Sequence, residues 1–351
     1  MKKPYALRRF LHRNKHRLSS LLILTHDFPD PDALASASAL QHLAGRGFGI
    51  RSRIVYGGII GRTENREMIR ILNLPVHRLR SSDFKRYPHV ALVDTQPAFG
   101  NNSFPDGRKA AIVIDQHFSS TKPLAEFSFI DPTSGATSVI LAQALLSQGL
   151  EIPERVATAL VYGIISDTMH LSRVEREEVI ETYLTLLPLC NMRSLARIQN
   201  PPRSPSFFPI LARAVNNAIL CRRLIVSHIG FVESPDVVSQ IADLLLTNEA
   251  TNTSFCTGRH GSQLHLSLRV ASPRSRAGTV LRDVVAQHGQ AGGHGRIAGG
   301  QVAVGSNRSE RTWRAKERIL TDRLKARLRI PTHGRFRPAF GQSSHPRRKN
   351  S

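Results

Sequence analysis

The sequence predicts an α/β protein: a parallel-sheet N-terminal domain with helices on both faces, followed by a smaller α/β C-terminal domain. Three observations predict it. Short unbroken Val/Ile/Leu runs of strand length recur through the first half. Small-residue or turn-rich stretches of helical character separate them. A proline-rich segment, Ile198 to Pro209 (IQNPPRSPSFFP), then divides the chain. With 351 residues, 40% hydrophobic and 21% charged, the chain can fill two ordinary cores, which excludes wholesale disorder and a fibrous repeat.

Taken in order, residues 1–20 form a basic N-terminal segment, and the first domain spans 21–195. Leu21 to Leu24 reads as a buried strand, followed by a Pro/Asp loop and a helix from about Ala33 to Ala44 closed by Gly45. Strand-like runs recur at Ile54–Tyr56, Val90–Val93 and Ala110–Ile114. A linker occupies 196–209. In the second domain, 210–330, Leu224–Val232 and Gln263–Val270 read as strands, and Val237–Leu246 and Thr279–His288 as helices. Ser309 to Ile330 is an amphipathic basic helix whose stripe includes Trp313, Ile319 and Leu324, and 331–351 reads as a basic disordered tail.

The 49 Lys plus Arg against 26 Asp plus Glu give a formal charge of +23. The excess is localised: residues 1–20 carry seven basic groups and no acids, whereas residues 21–195 carry 17 basic and 18 acidic groups. A basic second domain beside a neutral first one suits gathering a polyanion in one place and acting on it in another. The three cysteines form no CxxC pair, so neither a disulfide framework nor a zinc knuckle is expected. No apolar run reaches the roughly 18 residues of a membrane span, and the expected setting is soluble and cytoplasmic.

Titratable residues gather at the carboxyl ends of the strand-like runs, where open α/β sheets bind ligands. The first run leads into His26 and then Asp30 and Asp32, the second into Asp94, the third into Asp115, Gln116 and His117; Asp167 follows the apolar stretch 157–166. Each alone has a structural explanation: Asp32 as a helix N-cap, Asp94 and Asp115 as turn formers, His26 as a core histidine. Together, hard carboxylates mixed with imidazole suit Mn²⁺ or Mg²⁺.

The motifs THDFPDPDALASASAL, ALVDTQP, VIDQHFS and YGIISDTMHLSR, in this order, resemble those of the DHH phosphoesterase superfamily, and AGGHGRIAGG resembles the glycine-rich signature of its associated C-terminal domain. The resemblance covers nearly the whole chain. It implies a catalytic first domain with two Mn²⁺ ions, Mg²⁺ or Co²⁺ being alternatives. His26, Asp30 and Asp94 would hold one ion and Asp32, Asp94 and Asp167 the other, with Asp94 bridging. His117 would lie near the substrate phosphate and Asp115 would orient its neighbours, so that Asp94, Asp115 and His117 form the catalytic set.

One position departs from the family pattern: Gln116 stands where the first histidine of Asp-His-His is a metal ligand. Gln116 ligating weakly, His117 taking over, and loss of the second metal all remain open. Thr137 and Ser138 stand near the expected substrate position or simply cap a helix, and a solvated helix start accounts for Arg62 and Asn65. In the second, substrate-binding domain, Gly292, Gly293 and His294 are expected to form a tight phosphate-approaching loop, and Arg269 to clamp a phosphate.

The expected activity is hydrolysis of phosphodiester bonds in short RNA or DNA oligonucleotides, of exonuclease or oligoribonuclease type, with phosphatase action on nucleoside 3′,5′-bisphosphates. The alternatives are a cyclic-dinucleotide phosphodiesterase and a nucleic-acid-binding module weakened by Gln116. No membrane partner is expected, and a homodimer is left open.

Overall fold

The structure, a computed structural model, describes residues 3–340 apart from 173, 273–274, 306–308 and 332–333; the side chains at 3, 4 and 294 also lie outside the described set. The chain divides into two units, Met1–Pro201 and Pro202–Ser351. That division falls inside the proline-rich segment, between two helices.

In chain order the first unit contains α1 (Lys3–Asn14), β1 (Ser20–Thr25), α2 (Pro31–Phe48), β2 (Arg51–Tyr56), α3 (Thr63–Leu72), β3 (Val76–Arg78), α4 (Asp83–Arg86), β4 (His89–Val93), β5 (Ala110–Asp115), β6 (Ala125–Ile130), α5 (Thr137–Leu146), α6 (Glu154–Asp167), α7 (Glu177–Leu186) and α8 (Met192–Gln199). The six strands pair in parallel in the order β3-β2-β1-β4-β5-β6. The order reverses between β1 and β4, and a crevice at their carboxyl ends follows from that reversal. Alternate residues of β1 serve the two faces: Leu21 and Ile23 join the larger core with Leu34, Leu40 and Leu160, while Leu22 and Leu24 join Val90, Leu92 and Phe104. The helices are unevenly shared, since the second face is closed by the four-residue α4 and flanking loops.

Two expectations for this unit need correction. The basic segment 1–20 is not an appendage: Leu7 and Leu11 lie one turn apart on α1 and, with Leu18, are fully buried in the main core. The helix after β1 does not stop at Gly45. It continues to Phe48, because Gly49 adopts the left-handed conformation (φ 68°) and returns its N–H to the carbonyls of Ala44 and Gly45.

The second unit contains α9 (Phe207–Asn216), β7 (Ile219–Cys221), β8 (Leu224–Phe231), α10 (Asp236–Leu246), β9 (Thr253–His260), β10 (Gln263–Val270), α11 (Ala277–Val285), β11 (Gly289–His294), β12 (Ile297–Ala303), α12 (Glu310–Arg327) and β13 (Arg337–Pro338). Its sheet runs β11-β12-β10-β9-β8-β7-β13, with only β8 and β9 parallel. Helices α11 and α12 cover one face and α9 and α10 the other.

On α12 the buried stripe is Trp313, Glu317, Leu320, Thr321 and Leu324, and the expected Ile319 is 46% exposed. A polar pair, described below, displaces the apolar pattern there. The tail expected to be disordered folds back over part of its length: Arg337 and Pro338 pair with Leu220 and Ile219, and Lys325 Nζ donates to the Gly334 carbonyl. Residues 341–351 lie outside the described set. No described helix is long and apolar enough to cross a membrane.

Candidate metal centre

The loop after β1 is shaped by its neighbours before any ligand is considered. The Asp27 N–H donates to the Asn101 carbonyl at 2.6 Å and the Phe28 N–H to that of Gly57 at 3.1 Å. A Cβ at Gly57 would sit 1.8 Å from Asp27 Oδ1, so only glycine lets the two loops meet this closely. Buried Asn65 donates its amide to the Pro29 carbonyl at 3.0 Å, a holding contact and not the solvated helix start expected for it. Asp30, not Asp32, is the N-cap of α2: its Oδ1 accepts the Ala33 N–H at 3.0 Å, and Pro31 opens the helix.

Asp94 stands at the centre. It leaves β4 in the left-handed region (φ 59°), held there by its N–H donating to the Ile114 carbonyl at 2.9 Å. A non-glycine residue in that region is strained, and strain retained at a strand end belongs with function. Asp94 Oδ2 is 3.6 Å from His26 Nε2, which is 3.7 Å from Asp30 Oδ1. Asp94 Oδ1 accepts the Thr137 hydroxyl at 2.7 Å and lies 3.7 Å from His117 Nδ1. Two candidate donor sets therefore share Asp94: His26, Asp30 and Asp94, and Asp94, Asp115 and His117, each with its ligand atoms within 4.8 Å of one another.

His117 is oriented by Asp115, Nδ1 to Oδ1 at 2.8 Å. Asp115 is held in turn by Gln96, whose amide also donates to the His117 carbonyl, both at 2.8 Å. Gln96 was missed by sequence reasoning, although it stands two residues after Asp94. Thr137 and Ser138 do not cap α5 but open it, after Ala136, and their backbone N–H groups both donate to Asp32, at 2.7 Å each. Asp32 is thus the buried carboxyl at a helix N-terminus. A Cβ at Gly163 would lie 2.4 Å from Ser138 Oγ, so the glycine allows α6 to bring Asp167 close. The Gln116 amide donates to Asp167 Oδ2.

The electrostatics of this cluster are unbalanced. Burial raises the Asp32 and Asp94 carboxyls well above the usual range, and neighbouring carboxylates add to the shift. Burial and the Asp30 charge push Asp167 up from 3.8 to about 6. Burial opposes protonation of His26, but its interactions with Asp30 and Asp94 prevail and push it up to about 10. Against a similar burial effect, the Asp115 hydrogen bond and charge raise His117. Oxygen donors with one imidazole, crowded until they hold protons, fit a hard divalent cation.

Two expected features of the second domain sit differently. Arg269 is buried (4% exposed), donating Nε to Asp243 and Nη1 to the carbonyls of Leu268 and Ala298, so its fork is already engaged within the domain. Gly292 and Gly293 form no loop; with the backbone of His294 they lie in β11, opposite Gly299, Ala298 and Ile297 of β12. The pairing is tight because both strands are glycine-rich: a Cβ at Gly293 would lie 2.2 Å from the Ile297 carbonyl oxygen. The His294 side chain lies outside the described residues.

Residues 222–322 match the DHHA1 domain. The chain is 31% identical over 315 residues to the uncharacterized protein MJ1633 of Methanocaldococcus jannaschii, covering 90% of this chain and 64% of that protein. It is 28% identical over 163 residues to the "Probable manganese-dependent inorganic pyrophosphatase" of Streptococcus pyogenes, covering 44% of this chain and 50% of that one. It therefore spans less than two thirds of either relative.

Among solved structures, an exopolyphosphatase-related protein from Bacteroides fragilis shares the fold with a TM-score of 0.67 at 13% identity, covering 92% of this chain and 98% of that one. RecJ from Thermus thermophilus, in complex with Mn²⁺, gives a TM-score of 0.51 at 15% identity, covering 94% and 55% respectively. The second half of the chain thus carries a DHHA1 domain, and in its first half the motif residues His26, Asp30, Asp115 and His117 gather around Asp94.

Proposed function

We propose that the chain is a Mn²⁺-dependent phosphoesterase that hydrolyses phosphodiester bonds of short oligonucleotides from an end, with accompanying phosphatase action on nucleoside bisphosphates. The observation that carries the reading is the convergence on Asp94 of acids and histidines from the ends of β1, β4 and β5, with the charge of Asp167 at the end of α6 acting on Asp94 as well. RecJ in complex with Mn²⁺ and a manganese-dependent relative support the choice of ion.

His26, Asp30 and Asp94 would hold one ion, and Asp32, Asp94 and Asp167, with Gln116 beside them, a second. Bound there, the ions supply a water deprotonated near neutral pH and positive charge for the phosphoryl oxygens. The chain's own residues supply position. Asp115 fixes the His117 ring through Nδ1, leaving Nε2 on a side chain that is 44% exposed, free to donate to a substrate phosphoryl oxygen. Nε2 donates only from the imidazolium, the form that the Asp115 carboxylate favours. Thr137 and the α5 N-terminus hold Asp94 and Asp32 against their mutual repulsion.

The test is a metal screen with labelled dinucleotide, pentanucleotide, nucleoside bisphosphate and pyrophosphate. Mononucleotide release from the linear substrates with Mn²⁺ is expected. Turnover of pyrophosphate alone, or of nothing with Mn²⁺, Mg²⁺ or Co²⁺, overturns the reading.

A further inference from the structure

Beside the metal centre, on the outer edge of the sheet, lies a cavity of about 390 Å³ that the chemistry above does not use. Its volume falls within the roughly 300–1,000 Å³ range of small-ligand sites. One wall is Gln96, the residue that holds Asp115 and the His117 carbonyl, so a single side chain separates the cavity from the centre. The loop that follows His117 supplies Ser120 and Lys122, and β6 supplies Phe127 and Ser128. None of its lining residues is acidic, and Lys122 makes no ion pair among the described residues. The one acid of β6, Glu126, is already neutralised by Arg17.

The rim opposite Gln96 is Ala6 of α1. Helical spacing puts Arg9 and Arg13 on the same side of α1 as Ala6, and both are exposed. Between them, Phe10 stacks on Phe127 with ring centroids 5.1 Å apart, which fixes this side of the helix against the cavity wall. The helix itself is anchored by Leu7 and Leu11, so its arginines are presented on a rigid element. A polar and aromatic cavity that shares Gln96 with the reacting centre and is bordered by cations on α1 suits a strand of alternating nucleosides and phosphates.

We propose that this cavity and the Arg9–Arg13 side of α1 bind the part of a single-stranded oligonucleotide that extends beyond the scissile bond, the cavity taking a nucleoside and the helix its phosphates. The proposal rests on the oligonucleotide reading above and adds a strand path within the first domain, along its basic N-terminal helix.

The test uses fluorescence anisotropy of the Mn²⁺-loaded full chain with phosphorothioate-linked penta- and dinucleotide RNA. For Arg9→Glu/Arg13→Glu, and separately for Lys122→Glu, the ratio of pentanucleotide to dinucleotide affinity should fall by at least about tenfold, and the salt slope of pentanucleotide binding by about 1.4 for the double variant. An Arg9→Gln/Arg13→Gln pair, which adds no repulsion and spares the buried leucines, should give a smaller loss in the same direction. An unchanged ratio, or an equal loss for both lengths, overturns the proposal. So does a wild type that binds both RNAs equally, an outcome under which dinucleotide hydrolysis, and with it the reading above, still stands.

Discussion

The two domains meet the same physical problem, a buried charge, and solve it differently. In the second domain Arg259 (5% exposed) lies between Glu310 and Glu317, with Nε 2.9 Å from Glu317 Oε1 and Nη1 2.6 Å from Glu310 Oε2, and its guanidinium also sits over the Phe231 and Trp313 rings. Every charge has a partner built into the chain. In the first domain buried Asp32 and Asp94 and half-buried Asp167 have hydroxyls, amides and two histidines for company, and all three are pushed upward. A closed network serves stability, whereas an open one leaves a deficit of positive charge that an ion from outside can fill.

Removing one partner from each network breaks or sharpens this contrast most. Arg259→Ala strands Glu317 (3% exposed) and should cost about 3–5 kcal/mol in denaturant unfolding. Asp94→Asn keeps an acceptor for the Thr137 hydroxyl and suits the left-handed backbone, so metal-free stability should change by no more than about 1 kcal/mol or rise. Turnover should nevertheless fall by more than about 100-fold, because the residue shared by both donor sets is lost. If Asp94→Asn destabilises the metal-free chain as much as Arg259→Ala does, the two networks are alike and the contrast fails.

The next effect is on pH dependence without metal. Asp167 titrates at about 6 in the fold against an ordinary 3.8. Its contribution to stability is therefore complete below about 3.8 and lost as pH rises through 6, up to about 3 kcal/mol. His26 acts in the same sense, complete below 6.5 and lost toward 10. Scanning fluorimetry of chelator-treated protein should show the melting temperature falling from about pH 4 to 7. Mn²⁺ at neutral pH should reverse the fall by about 2.7 kcal/mol at a hundredfold excess over its dissociation constant. A melting temperature insensitive to both would mean that the acids are neutralised from within.

The acids that make up this deficit were legible in the sequence, because β1, β4 and β5 are buried on both faces and read as unbroken apolar runs whose ends are unmistakable. Edge strands were not: β3 is three half-exposed residues, and β6 alternates irregularly. Gln96 escaped notice and Asn65 was read as a solvated helix start because their partners lie across the fold, and a short polar side chain carries no periodicity of its own. Arg259 and Glu317 were hidden for a related reason, since a charge on a strand and its partner in the stripe of a distant helix each look like surface. The glycine-rich signature was visible, but strand pairing between two glycine runs cannot be told from a loop by composition.

The smallest effect concerns Gln116, where the two proposed ion positions of the first domain would differ. Around His26, Asp30 and Asp94 the donors include an imidazole and two carboxylates, whereas beside Asp167 the corresponding neutral donor is an amide already hydrogen-bonded to that carboxylate. Asp32, the other acid there, has both oxygens receiving backbone N–H groups. An amide oxygen binds Mn²⁺ less well than imidazole nitrogen, so the second ion should bind the more weakly of the two. Gln116→His should tighten it by about tenfold, or about 1.4 kcal/mol, in a calorimetric Mn²⁺ titration while leaving the first ion's affinity nearly unchanged. Two equal sites in the wild type, or a substitution that shifts both affinities together, would show that the amide at 116 does not divide the ions, and the asymmetry would have to originate at Asp32 instead.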